Sequence, residues 1–130
     1  MCLNIFEKFF KKPAQKFLID VVCKSTLKSP SSKLIQVQCS EAEKSILHKP
    51  HNNFAYLKVG TERISLKFLG EEGTFLTVAL QKVVKVFVYS SKILAVCYVR
   101  EDGSMTCLIL RDVLSDVKNV EDALMKSLIS

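Results

Sequence analysis

The sequence predicts an α+β fold that is mainly antiparallel β, in which about seven short strands are closed by a C-terminal helix. Runs of alternating apolar and polar residues recur at strand length from residue 54 onward, which is typical of strands with one buried face. Turn signals separate these runs, most clearly at Asp102-Gly103. After residue 119 the apolar spacing changes to that of a helix. Consecutive hairpins form a sandwich or a partly open barrel, and the last helix must bury its apolar face against it.

The composition fits one domain without disulfide or metal support. The 130 residues match one typical domain of about 100–150 residues. Hydrophobic residues make up 48% and charged residues 25%, which is the balance of a globular chain. The five cysteines are odd in number and widely spaced, with no Cys-x-x-Cys pair. We therefore expect reduced thiols in a cytoplasmic protein, with no metal, no cofactor and no secretory leader.

The positive charge is concentrated near the N-terminus. The whole chain has a net charge of +6, of which residues 1–33 contribute +5, from seven lysines against two acids. The other 97 residues are close to neutral, with 12 basic and 11 acidic side chains. A nucleic-acid reader is expected to carry its basic face on the folded body, so the sequence indicates no nucleic-acid partner.

Residues 1–16 are predicted to form a basic amphipathic helix or extension, and residues 17–130 are predicted to form the folded domain. The aromatic and aliphatic residues of the first segment recur at helical spacing. This segment either docks its phenylalanines on the domain or lies on a membrane surface. In the second case Lys11 and Lys12 would contact anionic lipid, and the cytoplasmic protein would be peripheral at membranes.

The individual elements follow from local patterns. The first half predicts, in order, a strand at 17–23, a loop at 24–33, a strand at 34–38 and a short helix at 41–47. Alternating runs in the second half predict strands at 54–59, 63–68, 74–80, 83–89, 94–100 and 105–111. Asn119 is expected to cap the terminal helix over residues 119–129.

A series of motifs in the second half resembles a known family. An Ile-x-Leu strand precedes a glycine turn, and strands of the forms Leu-x-Lys-Val-x-x-Val and Ala-x-x-Tyr-Val-Arg follow it within residues 57–100. Cys107-Leu-Ile-Leu110 then resembles the last strand, and residues 119–129 the closing helix, of a phosphotyrosine-binding (PTB) domain. The resemblance covers roughly residues 54–129 and implies a PH/PTB-like fold of the pleckstrin-homology superfold. Two positions differ from the family pattern: residues 17–23 lack a Tyr-Leu-Gly strand, and Leu128 stands where the family helix has Phe.

The resemblance implies that an extended peptide adds as a strand beside the fifth strand and against the terminal helix. The physical basis is that an unpaired strand edge offers N–H and C=O groups while adjacent pockets select side chains. In this sequence the strand is Val83–Ser90, and the predicted groove residues are Val83, Lys85, Phe87, Tyr89, Leu124, Met125 and Leu128. The implied partner is a protein or peptide, and Asn-Pro-x-Tyr-like tails are one class that such domains bind.

Phosphotyrosine capture would need basic side chains near the mouth of the groove. The available residues are Arg63, Lys67, Lys82, Lys85, Arg100 and Arg111, and their spacing is also that of a solvated strand face. The predicted phosphate or lipid contacts are Lys82, Arg100, Lys11 and Lys12.

These features predict a non-catalytic adaptor or scaffold domain for cytoplasmic signalling. His48 and His51 lie in one polar loop, and the chain has no acidic pair or glycine-rich phosphate loop that would indicate an enzyme. Cys97 and Cys107 alternate with core positions and are expected to be buried thiols. Two alternatives stay open: a phosphoinositide or membrane-surface module of the same superfold, and a structural subunit of a larger complex.

Overall fold

The architecture comes from a computed structural model that describes residues 15–48, 53–70, 75–114 and 116–129. The strands are β1 (Gln15–Leu27), β2 (Phe54–Val59), β3 (Arg63–Phe68), β4 (Phe75–Ala79), β5 (Val83–Val88), β6 (Ile93–Val99) and β7 (Met105–Asp112). The helices are α1 (Ser32–His48) and α2 (Val117–Ile129), and a 3₁₀ turn at Leu80–Lys82 joins β4 to β5.

The strands form one antiparallel sheet in the order β4-β3-β2-β1-β7-β6-β5. β2, β3 and β4 pair in succession, as do β5, β6 and β7, and β1 joins the two groups, with β2 on one side and β7 on the other. β4 and β5 are consecutive in the chain but lie at opposite edges of the sheet. The sheet is open, because β4 and β5 each have one paired neighbour. This arrangement, with α2 packed against it, confirms the predicted α+β, mainly antiparallel fold.

The long strand β1 connects the two halves of the sheet. Its first half pairs with β2, its second half pairs with β7, and its register shifts between Val21 and Cys23. A bulge of this kind bends a strand and increases its twist, so one strand can belong to both halves. Beside the bulge, the fully buried Asp20 accepts a hydrogen bond through Oδ2 from Nη2 of Arg111 at 3.1 Å. This ion pair links β1 to β7.

Two hydrophobic cores lie on opposite faces of the β6–β7 hairpin. Alternate residues of the hairpin, including Leu94, Val96 and Leu108, pack with α2 and with β1–β4 in the first core. The residues between them, including Ala95 and Ile109, pack with α1 in the second core. Because both faces are covered, these strands are nearly continuous apolar runs in the sequence.

The N-terminal half of the chain differs from its prediction. β1 extends to Leu27, so the expected loop at 24–33 is reduced to residues 28–31. The strand predicted at 34–38 and the short helix predicted at 41–47 are both wrong, because both segments belong to the single helix α1.

Helical spacing explains why α1 forms. Its residues that pack into the second core are Ile35, Cys39, Ala42 and Ile46. These positions follow the i, i+4, i+7, i+11 pattern of one helix face. The alternation that suggested a strand placed Ile35 and Val37 on one face, but Ile35 is fully buried whereas Val37 is 50% exposed. Burial of the helical set therefore decides the conformation, as tertiary contacts commonly override a short local pattern.

The C-terminal half agrees closely with its prediction. The strands at 54–59 and 63–68 have the predicted bounds, and each later strand differs by one residue at one or both ends. The β6–β7 turn is confirmed, with Gly103 at a φ of 86°, a conformation that favours glycine. The cap of α2 differs, because Oδ1 of Asp116, and not the side chain of Asn119, accepts the backbone N–H of Lys118 at 2.9 Å.

The predicted N-terminal helix falls almost entirely outside the described residues, as do Lys11, Lys12 and His51. Gln15 and Lys16, which were assigned to that segment, are the first two residues of β1. Among the helices in the described ranges, neither is both long enough and apolar enough to span a bilayer.

Replacing Leu124 by Ala is expected to lower the free energy of unfolding by about 2–4 kcal/mol, because a fully buried leucine leaves a cavity. Met125→Ala is the matched control at the next helical position, where the side chain is 41% exposed, and it should cost less than about 1 kcal/mol. Urea denaturation followed by circular dichroism measures both values. Equal losses at the two positions would contradict the orientation of α2.

Candidate functional site

The candidate site is the open edge of β5 together with the neighbouring face of α2. β5 pairs with β6 on one side, and in the described residues no strand pairs with its other side. α2 packs against β5, β6, β2 and the 3₁₀ turn. The result is an edge strand with a helix beside it, which is the geometry that strand addition requires.

The direction of α2 relative to β5 is fixed at both ends of the helix. The backbone N–H of Val117 donates to the carbonyl oxygen of Ser91 at 3.0 Å, so α2 begins beside the loop that follows β5. Leu128, near the other end, lines a cavity with Leu80 and Gln81 of the turn that precedes β5. α2 therefore runs along β5 in the opposite direction.

A β-bulge at the start of β5 changes which side chains face α2. The register shifts between Val83 and Lys85, and it is then unbroken to Val88. The expected alternation, with residues 83, 85, 87 and 89 on one face, is therefore wrong at its first member. Val83 packs with Val86 and Val88 against the first core, on the side of α2.

The other three predicted groove residues of this strand lie on the face that carries α1. Phe87 and Tyr89 pack against the second core. The Nζ of Lys85 donates to the carbonyl oxygen of Pro30 at 3.3 Å and to Oγ of Ser32. Lys85 therefore ties β5 to the start of α1 instead of facing α2. The bulge therefore divides the predicted groove residues between the two faces of the edge strand. The role of these residues in peptide binding stays a prediction.

The three predicted residues of α2 differ in accessibility. Leu124 is completely buried in the first core, so it positions the helix. Leu128 is half-buried against the same core. Met125 is 41% exposed and lines a shallow cavity of about 390 Å³ with Asp122, Lys126 and Ile129. Contact surface is therefore offered mainly by Met125 and Leu128.

A second cavity of about 590 Å³ lies where the end of α2 approaches the start of β5. Its described lining residues are Thr61, Glu62, Arg63, Thr77, Ala79, Leu80, Gln81, Ser127 and Leu128. A hydrogen bond from the backbone N–H of Leu80 to the carbonyl oxygen of Glu62, at 2.9 Å, holds the β2–β3 turn against the 3₁₀ turn. The lining is mixed, with one cation, one carboxylate and several hydrogen-bonding side chains.

The structure separates the basic residues that were considered for phosphate binding. Arg63 lines the 590 Å³ cavity, and Lys82 is exposed in the adjoining 3₁₀ turn. Arg100 is exposed beside the β6–β7 turn. Arg111 is paired with Asp20, so its charge is used within the fold.

Thr61, Glu62 and Gln81 line this cavity, although the sequence did not predict them as site residues. The sequence feature that could have indicated them is the Gly60-Thr-Glu turn directly before Arg63, because binding residues often lie in loops that a rigid sheet positions. Their convergence with α2 depends on contacts between distant segments, which the local pattern does not contain.

The second core contains four free thiols, from Cys23, Cys39, Cys97 and Cys107. Cys97 and Cys107 face each other across β6 and β7, as expected for buried strand cysteines. Burial, assisted by the neighbouring thiols, raises the pKa of Cys39 to about 12. The hydrogen bond with Cys97, and then burial, raise the pKa of Cys107. Within the described residues, no group of His, Cys, Asp and Glu is arranged to hold a metal ion.

Comparison with known proteins agrees with the fold. No protein-family model and no curated protein sequence matches the chain. The structure is similar to the solution structure of the C-terminal phosphotyrosine interaction domain of APBB2 from mouse, with a TM-score of 0.71. That match covers 90% of this chain and 87% of the mouse chain at 11% sequence identity. The chain therefore has a PTB fold of the PH-like class, as the sequence predicted.

Raising the pH should destabilise the protein through Cys39. The ordinary thiol pKa is about 8.5 in an unfolded chain, whereas burial raises it to about 12 in the folded state. The unfolded state therefore releases the proton first, so this contribution to stability is complete below about pH 8.5 and is lost as the pH rises toward 12. Between about pH 8.5 and 10 the loss should be about 2 kcal/mol.

Urea denaturation across this pH range measures the effect, and Cys39→Ala serves as the matched control. The variant lacks the titrating thiol, so its stability should fall less steeply with pH than that of the wild type. Parallel curves for the two proteins would show that the Cys39 thiol is not desolvated in the folded state.

Proposed function

We propose that the domain binds an extended segment of a partner protein as an added strand at β5, with α2 as the second wall of the groove. The supporting observation is that β5 is paired on one side only and that α2 runs beside it. Alternate residues of an antiparallel edge strand direct their N–H and C=O groups away from the paired neighbour. Between Lys85 and Val88 the ladder is regular, so this part of the edge can accept a new strand.

The accessible side chains indicate the chemistry of the partner segment. Val84 at the bulge is 45% exposed, Met125 on α2 is 41% exposed, and the half-buried Leu128 lines the 590 Å³ cavity. Exposed apolar groups beside a strand edge favour a partner segment with apolar side chains. The 590 Å³ cavity at the end of the groove, with Arg63 and Glu62, favours a polar side chain at one end of that segment.

The comparison with a solved structure is consistent with this proposal. The similar mouse domain is described as a phosphotyrosine interaction domain. A protein-interaction role therefore has support at the level of the fold. The proposal also includes an adaptor role in signalling. An Asn-Pro-x-Tyr-like tail is one class of partner segment that the groove would bind.

Binding of a peptide selected from a random library should slow amide hydrogen exchange in residues 83–89, because new interstrand hydrogen bonds protect edge amides. Exchange measured by mass spectrometry with and without the peptide tests this. The sheet has a second edge at β4, which provides an internal comparison. Protection confined to residues 75–79, with none at β5, would contradict the proposed site.

Met125→Asp should weaken the same peptide roughly tenfold or more, because it places a charge against the apolar side of the added strand. Leu47→Asp is the matched control, since Leu47 is 80% exposed and lies on α1, away from the groove. Fluorescence anisotropy with labelled peptide gives both affinities, and thermal denaturation checks the fold. An equal loss of peptide affinity in the two variants would show that α2 does not form part of the binding site.

Phosphorylation of a tyrosine in the bound peptide should not strengthen binding, because Glu62 lines the same cavity as Arg63 and opposes an added dianion. Glu62→Gln should then shift preference toward the phosphorylated peptide by several-fold, and Arg63→Gln should shift it the other way. Titration of paired phosphorylated and unphosphorylated peptides measures the ratio. If neither variant changes the ratio of the affinities for the two peptides, the tyrosine of the peptide does not bind in this cavity.

A further inference from the structure

Cys97 and Cys107 are two free thiols of the second core that the structure places directly opposite each other. They are register partners on β6 and β7, and both side chains are fully buried. The same core contains Cys39 on α1 and Cys23 on β1, so four thiols lie within one hydrophobic cluster. The proposed peptide groove uses none of them.

The hydrogen bonds of the β6–β7 hairpin define the type of pair that these cysteines form. At the turn, the backbone N–H of Arg100 donates to the carbonyl oxygen of Ser104 at 2.7 Å. At the other end of the hairpin, the backbone N–H of Asp112 donates to the carbonyl oxygen of Lys92 at 3.3 Å. The register between these ends is unbroken, and hydrogen-bonded and non-hydrogen-bonded pairs alternate along an antiparallel ladder. The two cysteines therefore form a non-hydrogen-bonded pair.

The usual dimensions of a non-hydrogen-bonded pair are close to those of a disulfide. The Cα atoms of such a pair lie about 4.5 Å apart, which is within the range of about 4.4–6.8 Å that disulfides adopt. The Cβ atoms lie about 4.5–5.5 Å apart, whereas a disulfide holds them at about 3.5–4.5 Å. The bond can therefore form within the existing hairpin, but it draws the two strands together. Strain of this kind makes a disulfide easier to reduce, which suits a reversible modification.

The two thiols differ in reactivity because a hydrogen bond joins them. The hydrogen bond from Cys107, supported by the charge of Lys85, lowers the pKa of Cys97 although burial opposes this effect. The same hydrogen bond, and then burial, raise the pKa of Cys107. The thiolate is the form of cysteine that reacts with peroxide. Cys97 is therefore expected to react first, and Cys107 to resolve the product.

The half-buried Cys23 marks the place where solvent meets this cluster. Burial and the charge of Glu41 raise the pKa of Cys23, so the more accessible thiol is the less reactive one. Hydrogen peroxide is close to water in size, and α1 covers the cluster through one helix face only. A local opening of α1 is therefore sufficient to admit peroxide to the buried pair.

We propose that Cys97 and Cys107 form a reversible cross-strand disulfide in the presence of hydrogen peroxide, and that this bond weakens peptide binding at the β5 edge. The sulfur of Cys97 attacks one peroxide oxygen, the O–O bond breaks, and the released hydroxide leaves as water with the thiol proton, which gives a sulfenic acid. The sulfur of Cys107 then attacks the oxidised sulfur, the S–O bond breaks, and the hydroxyl leaves as a second water with the proton of Cys107. Two thiols are thereby oxidised to one disulfide and one peroxide is reduced to two waters.

The register connects this pair to the β5 edge. Lys85 on β5, Cys97, Cys107 and Ser25 on β1 are successive partners in one row across four strands. Lys85 is also the residue at which the regular ladder of β5 begins, after the bulge. A contraction between β6 and β7 in this row therefore displaces the strand that receives the peptide. This consequence rests on the proposed function, whereas the disulfide itself does not.

Peptide mapping of the oxidised full chain tests the disulfide. Trypsin cleaves after Lys92, Arg100 and Arg111, so the two cysteines fall in the separate peptides 93–100 and 101–111. The folded protein is treated with about a tenfold molar excess of hydrogen peroxide, and the remaining thiols are alkylated before digestion. We expect mass spectrometry to show these two peptides joined, and dithiothreitol to separate them. Sulfinic or sulfonic acid at both positions without the joined peptides, or a disulfide between Cys23 and Cys39 instead, would overturn the proposal.

Two variants test the roles of the individual thiols. In Cys107→Ala the sulfenic acid of Cys97 has no resolving partner, so its labelling by dimedone should rise several-fold over the wild type. Cys39→Ala is the matched control, because it removes another buried thiol of the same core and should still give the joined peptides. Loss of the joined peptides in a folded Cys39→Ala variant, checked by thermal denaturation, would overturn the assignment to this pair. Dimedone added to the wild type during oxidation needs no substitution, and a label on Cys107 instead of Cys97 would overturn the order of reaction.

Fluorescence anisotropy with the peptide selected for β5 tests the effect on binding. The oxidised protein should bind the peptide roughly threefold or more weakly than the reduced protein, and dithiothreitol should restore the affinity. Restoration distinguishes the disulfide from oxidation of Met125 in the groove, because dithiothreitol does not reduce a methionine sulfoxide. Equal affinities of the two forms would overturn the control of the edge. The mapping needs no peptide ligand, so failure of the disulfide and failure of the proposed function are distinguishable.

Discussion

The burial of both faces of the β6–β7 hairpin is the constraint on which the rest of the structure depends. A strand that is apolar on both sides needs a cover on each side, and the two cores provide it. α1 covers one face through Ile35 and Cys39, and α2 with the first half of the sheet covers the other through Val120 and Leu124. β5 extends this buried pair by one strand and stays at the edge, because the chain offers it no further partner among the described strands.

The bulged strand β1 satisfies this constraint for the sheet as a whole. Its two halves belong to different parts of the sheet, and the bulge between Val21 and Cys23 provides the bend between them. A buried ion pair at this position carries a desolvation cost, so it adds little net stability, but loss of either partner would leave the other charge unpaired. Asp20 and Arg111 thus fix the pairing of β1 with β7. In the sequence Arg111 is one of the basic residues available for phosphate binding, but in the structure its charge is used within the fold.

The same geometry leaves the β5 edge accessible beside α2. This edge presents backbone hydrogen-bonding groups and a few apolar side chains, which suits an extended polypeptide.

The sequence by itself determined the C-terminal half, the fold class and the buried state of Cys97 and Cys107, because these follow from local periodicity and turn chemistry. It did not determine α1, where a short alternation competed with a helical pattern that only burial against β6 and β7 selects. Nor did it reveal the bulge that turns Lys85 and Phe87 away from α2, since a register shift depends on the pairing of two strands. Periodicity is read within one segment, whereas the cavity beside Glu62 exists only after distant segments pair, and tertiary structure therefore decided it.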